Sequence, residues 1–208
     1  MGVTFSDQSP DSEYIFINSR DFLRLHQNEV HSLVQASIDH RVPLFVDISG
    51  INSLMSAGLD PSRAETANSI VDVIWEVFSE DGICSTKEFL VVMCLLADTS
   101  WAFRLTLIFD LFKDLGTEEI MFDDIILLLR TIFVGLGRLW RDTTTKILEK
   151  DLHHWIETIA NSLYVKLRRQ MLVPVHKEEF VKWAFERFKE KHTVVGYEKL
   201  IKLYESAN

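Results

Sequence analysis

One pattern recurs along the chain and limits what it can fold into more than any other feature. Phe109-Asp110-Leu111-Phe112 leads into a twelve-residue stretch from Lys113 to Asp124 and then Ile125, with Ile120 eighth of the twelve. Tyr164-Val165-Lys166-Leu167 leads into twelve residues from Arg168 to Glu179 and then Phe180, with Val175 eighth. Trp75-Glu76-Val77-Phe78 leads into a stretch two residues shorter, Ser79 to Glu88, and then Phe89, with Cys84 four residues before Glu88. A weaker copy follows Ile38, with Asp39 in its loop and either Leu44 or Phe45 read at its apolar eighth position. Each copy reads as an aromatic-x-x-apolar helix end, a loop holding one β-type residue, an acid and an apolar helix start.

The segments between these loops carry helical periodicity. A helix is expected from Asn18 or Ser19 to Ile38, and another after Asp47, with Ile48, Ile51, Leu54 and Met55 at helical spacing. Asp60-Pro61 opens a third with Pro at its first position, striped by Ile70, Val73, Ile74, Val77 and Phe78. Ser85 or Thr86 starts a helix through Ala97, and Trp101 to Phe112 and Phe122 to Val134 follow. Gly135-Leu136-Gly137 is read as a helix end of the glycine C-cap kind. Helices are then expected over 143–169, 177–191 and after Gly196. Eight Gly and four Pro in 208 residues argue against many tight turns. The fold class expected is all-α, organised as a leader (1–17), two helix-loop-helix pairs (18–98 and 99–192) and a C-terminal helix (193–208).

A net charge of −9 argues against strong generic nucleic-acid binding. Residues 166–208 carry ten Lys+Arg against six Asp+Glu, which reads as solvated helix faces ahead of a surface for an acidic partner or membrane. Cys84 and Cys94 are too few for a disulfide framework or zinc ribbon and read as reduced cytosolic thiols. The longest unbroken apolar run, Phe89 to Ala97, falls far short of the roughly 20 residues of a spanning helix, and the N-terminus does not read as a secretory signal. His153 and His154 are adjacent, and His26 and His31 lie five apart, so neither pair has chelating helical spacing. No P-loop, G-x-S-x-G or H-E-x-x-H occurs, and the chain does not read as an enzyme.

The recurring unit resembles the EF-hand. The flanking hydrophobes, the apolar eighth residue and the acid at twelve form that family's frame. The stretch from Thr86 to Gly137 is similar to the junction between the second and third hands of calcineurin B and the neuronal calcium sensors, where a Lys-Glu-Phe-led helix passes through a short break into a long helix. The resemblance implies two lobes, each a pair of hands.

It does not carry calcium binding with it. A calcium loop needs oxygens at positions one, three and five, Gly at six and a bidentate acid at twelve. The third loop has Lys113, Leu115 and Thr117 at the first three of these, Glu118 at six and Asp124 at twelve. The fourth has Arg168, Gln170 and Leu172, with Val173 at six. The first offers Asp39, Arg41 and Pro43. Only the shortened second loop supplies candidate oxygens, from Ser79, Asp81 and Glu88. No metal or other cofactor is expected, and calcium only as a weak candidate there.

Helix 122–134 is apolar nearly all round, so it must be covered on two sides. A partner groove is expected on Trp101, Ile126, Leu129, Ile132, Phe133 and Trp140, with the C-terminal helix as an internal alternative occupant. Gly2 with Ser6 fits an N-myristoylation signal, although Asp7, Asp11 and Glu13 follow it. The expected function is a calcium-independent adaptor or regulatory subunit that takes an amphipathic helix of a protein partner. That partner is a catalytic subunit, a channel tail or a cytoskeletal (including ciliary) filament protein. The expected place is the cytoplasm, with cytoskeletal association or a membrane tether through acylated Gly2 as variants. Two alternatives stand beside it: a calcium sensor with non-standard loops and a myristoyl switch, and a helical scaffold or small enzyme.

Overall fold

The computed structural model of the chain describes residues 25–140 and 149–188. Among them are eight helices: α1 (Gln27–Asp39), α2 (Ile48–Gly58), α3 (Ala64–Phe78), α4 (Thr86–Leu96), α5 (Trp101–Asp110), α6 (Phe122–Trp140), α7 (Glu149–Leu167) and α8 (Lys177–Phe188). Strand structure among the described residues is confined to four two-residue pieces, β1 (Phe45–Val46), β2 (Cys84–Ser85), β3 (Glu119–Ile120) and β4 (Val175–His176). The fold is all-α. Gly2, the leader and the C-terminal helix expected after Gly196 lie outside the described residues. No helix among the described residues is long and apolar enough to cross a membrane.

Side-chain caps fix several helix starts. Asp47 accepts from the Gly50 N–H at 2.9 Å at the head of α2. Ser100 does the same for Phe103 at 3.2 Å at the head of α5. Each such cap is worth about 1 kcal/mol. Asp60 accepts from the Ser62 N–H, and Pro61–Arg63 forms a single 3-10 turn that runs into α3. The expected caps of the first helix, Asn18 and Ser19, lie outside the described residues. Helix α1 itself begins at Gln27, where His26 is extended, Asp98 donates its N–H to the Leu25 carbonyl, and the Glu29 carboxylate accepts from the His26 N–H at 2.7 Å.

The chain divides into two compact units: 25–98 with 134–140, and 99–133 with 149–188. Helix α6 therefore contributes residues to both. In the first unit, α1 packs on α2 and α4, and α3 packs on α2 and α4. Leu33, Ile51, Met55, Ile70, Phe78 and Phe89 fill its centre. The run from Phe89 to Ala97 is buried along its whole length, which accounts for its lack of an amphipathic pattern. In the second unit, α5 packs on α8. Phe109 and Phe180 meet with ring centroids 5.5 Å apart, Phe122 packs edge-on to Tyr164 at 5.4 Å, and Phe133 packs edge-on to Trp155 at 4.7 Å.

Each unit contains one antiparallel ladder joining two of the recurring loops. In the first, Phe45 faces Ser85 and Val46 faces Cys84. In the second, Glu119 faces His176 and Ile120 faces Val175. The register repeats, and so does a flanking bond: Thr86 N–H to the Leu44 carbonyl, and Lys177 N–H to the Glu118 carbonyl, both at 2.9 Å. Val46, Cys84, Ile120 and Val175 all point into their cores. The inward residue of the first loop is thus Val46. Counted from Asp39 it is the eighth residue; Leu44 and Phe45, expected in that place, are the sixth and seventh, and each is 62% exposed, Phe45 because strand alternation turns it outward when Val46 turns in.

The glycines at 135 and 137 do not end α6, which continues to Trp140. A Cβ on Gly135 would stand 2.9 Å from Val92 Cγ2, so the residue is small to allow close packing and not to reverse the chain. Gly58 is tighter still: a Cβ there would lie 2.7 Å from Leu33 Cα, backbone of α1. In an open helix Gly→Ala stabilises by roughly 1 kcal/mol. Here the sign reverses. Gly58→Ala is expected to destabilise the protein by about 2 kcal/mol through forced separation of α1 and α2, read as a lower urea midpoint.

Candidate functional site

The loops between paired helices are where an ion would be held in a chain with this repeat. Among the described residues, no group of three or more His, Cys, Asp or Glu side chains converges to hold a metal ion. Instead, in three of the loops a lysine or arginine of the same unit meets the loop oxygens.

In the second loop that cation is Arg138, from α6. Its Nη1 donates to the Phe78 carbonyl at 3.0 Å and lies 3.4 Å from Glu88 Oε2, while Nη2 donates to Glu80 Oε1 at 2.8 Å. Asp81 and Gly82 both have positive φ (51° and 77°), and Glu80 and Ile83 exchange backbone hydrogen bonds across them. The shortened loop is therefore a tight two-residue hairpin of the kind that needs two left-handed residues. Of the three candidate ligands, Ser79 ends α3, donating its N–H to the Trp75 carbonyl, Asp81 is exposed at the hairpin tip, and Glu88 faces Arg138.

In the third loop the first position is Lys113. Its ammonium meets Asp110 Oδ1 at 3.2 Å and Glu118 Oε1. Lys177, from the head of α8, closes the cluster at 2.8 Å to Asp110 and 2.9 Å to Glu118. Burial works against the charge on Lys113, but its bonds to Glu118 and Asp110 outweigh that and raise its pKa. Hydrogen bonds from Lys113 and then Lys177 hold the Glu118 carboxyl down at about 2. In the fourth loop, Arg169 Nη1 donates to Glu179 Oε2 at 2.7 Å and to the Pro174 carbonyl at 3.4 Å. Glu179, the twelfth residue, also accepts from the His176 N–H at 3.2 Å at the start of α8.

Two grooves accompany these loops. One of about 610 Å³ lies in the second unit. Ala102 from α5 and Val181 and Phe185 from α8 give it apolar walls, and Glu118, His176 and Lys182 a polar rim. The other, about 480 Å³, lies in the first unit beside β1 and α2 and is lined by Val42, Phe45, Leu54 and Ala57 among others.

The six residues expected to form a groove do not line either of these. Leu129 and Phe133 are buried in the second unit, Phe133 against Trp155. Ile126 and Ile132 are half-buried. Trp101 is half-buried with the Arg104 guanidinium 5.9 Å from its ring centre. The Trp140 side chain lies outside the described residues. Among the described apolar side chains of α6, Leu127 is exposed, at 45%. Cys84 and Cys94 are both buried and form no disulfide, and burial pushes the Cys84 thiol up to about 11.

Sequence reasoning missed Arg138, Arg169 and Lys177. Arg169 and Lys177 lie within the fourth loop and could have been noticed as basic residues beside acids. Arg138 could not, since it acts on residues 58 and 60 positions away. No model of a known protein family matches the chain, and no curated protein matches it.

Two outcomes are expected of these ion pairs. Because the Glu118 pKa is depressed, its stabilising contribution is present above the ordinary carboxylate value of 4.5 and is lost as pH falls toward 2. Half the side chain is exposed, so the contribution is below about 1 kcal/mol. Glu118→Gln should flatten the acid-unfolding curve in that window, followed by circular dichroism. Arg138→Met, which keeps the stem and removes three charge-assisted contacts, should destabilise the first unit by about 1–3 kcal/mol in urea unfolding. Arg138→Lys should recover only part of this, since a point charge cannot serve three acceptors in a fork.

Proposed function

We propose that this protein is a calcium-independent, EF-hand-like adaptor, and not an enzyme, that holds an amphipathic helix of a protein partner. The observation that carries the reading is that loop acids are already met by Arg138, Lys113, Lys177 and Arg169. A loop closed on a tethered cation has the same geometry with or without free calcium. The EF-hand part of the reading is supported by the repeated ladder register, which pairs Ile120 with Val175, the eighth residues of two twelve-residue loops.

The partner site in this reading is the groove between α5 and α8, where apolar Ala102, Val181 and Phe185 lie within a charged rim. Such a groove suits the apolar face of a helix, with the rim setting its direction. The lack of a disulfide at Cys84 and Cys94 fits a reducing, cytoplasmic setting for the complex.

The test joins calorimetry with affinity capture. Calcium up to millimolar concentrations, the weak end for such loops, is expected to give no heat and no change in Trp emission. The full chain is expected to retain the same helical partner in calcium and in chelator. Val181→Asp should weaken that capture at least tenfold by placing a charge in the apolar wall. Micromolar calcium binding with a Trp shift would instead make the protein a sensor.

A further inference from the structure

The segment joining α7 to β4 carries features that neither the loop ion pairs nor the groove uses. Leu172 is 83% exposed and Val165 76%, and Met171 and Val173 are also exposed. These are four of the exposed large hydrophobic side chains of the second unit, and they lie within nine residues of sequence. They point outward, and none lines either groove. Arg168, at the bend of this segment, holds a left-handed φ of 53° that turns the chain away from the end of α7.

Within the segment's own sequence the charged side chains are all cations, and the acids near them, Glu179 and Glu186, come from α8. Between Glu157 and Glu178 the sequence contains no acidic residue, while Lys166, Arg168, Arg169 and Lys177 lie within that interval. Lys177 is committed to Asp110 and Glu118. Lys166 pairs with Glu186 and Arg169 with Glu179, but those side chains are a third to a half exposed, and exposed pairs of this kind exchange partners at little cost. Arg168 is exposed at the centre of the segment.

We propose that the 165–173 segment is a membrane-surface contact, in which Leu172, Met171 and Val173 enter the headgroup boundary of an anionic bilayer while Lys166 and Arg168 lie among its phosphates. Outward-pointing apolar side chains find no complementary wall on a flat rigid protein surface, whereas a fluid lipid boundary closes around them. The cations beside them match the negative potential of an anionic leaflet. Neither element suffices alone: few apolar side chains bind a neutral bilayer weakly, and few cations bind a charged one weakly.

Vesicle co-sedimentation tests this. The full chain carrying Gly2→Ala removes the N-terminal acylation signal, so that any binding belongs to the folded surface. Binding is expected to phosphatidylcholine vesicles containing phosphatidylserine and not to phosphatidylcholine alone, and it should fall steeply between about 0.1 M and about 0.5 M salt. Leu172→Asp should weaken it at least tenfold. Arg168→Glu, a change of two charges, should weaken it about thirtyfold. Both residues are exposed, and circular dichroism should show both variants folded. Equal binding to neutral vesicles, or unchanged binding by Leu172→Asp, overturns the proposal. So does absence of vesicle binding while an acidic amphipathic peptide binds the wild type and not Arg168→Glu, which would make the segment a protein-docking surface.

Discussion

Two backbone ladders, each only two residues long, set the positions of the loops they join. Val46 and Cys84 are locked together in one, Ile120 and Val175 in the other, and each ladder is lengthened by one further bond, from Thr86 or from Lys177. A pair of strands this short has little stability in isolation. Its inward residues are held because they are part of an apolar core, and the core is closed because the ladder holds both helix starts at a common level. Lys177 illustrates the coupling. Its N–H completes the second ladder, and its ammonium reaches Asp110 and Glu118 from the same position.

Side-chain cations meet the acids of three loops among the described residues. A tethered cation is present at fixed stoichiometry, so the ordering does not depend on concentration in the way that ligand-linked stability does. It also differs in shape. The Arg138 guanidinium spreads its donors over a carbonyl and two carboxylates, and the two ammonium groups of Lys113 and Lys177 share two acids between them. The lysine cluster balances two cations against two acids, whereas the Arg138 cluster keeps one acid in excess.

Local chemistry was the legible part of this chain. Asp47 and Ser100 cap the helices they precede, Ser85 precedes α4, and the apolar eighth residues of the third and fourth loops face each other across a ladder. These depend on neighbours a few residues apart. What escaped depends on distance in sequence. Val46 is an exception, because counted from Asp39 it is the eighth residue, as Ile120 and Val175 are in their loops, and it was open to the same count. Gly135 resembles a helix terminator until Val92 is seen against it. The residues expected to line a groove on α6 were drawn from a helix apolar on most sides, where sequence cannot say which side the core takes; Leu129 and Phe133 turned out to belong to the core.

Cys84 gives the first ladder a chemical property that its counterpart Val175 lacks. Its thiol is 1% exposed and its pKa is raised, so in the closed ladder it is both shielded and protonated at neutral pH. A thiol reagent reaches it only when the strands part. Its alkylation rate is thus a clock for the opening of one unit, readable in a native protein without any introduced label. Cys94 lies in the same unit, buried in α4, so the second unit stays silent in the same experiment.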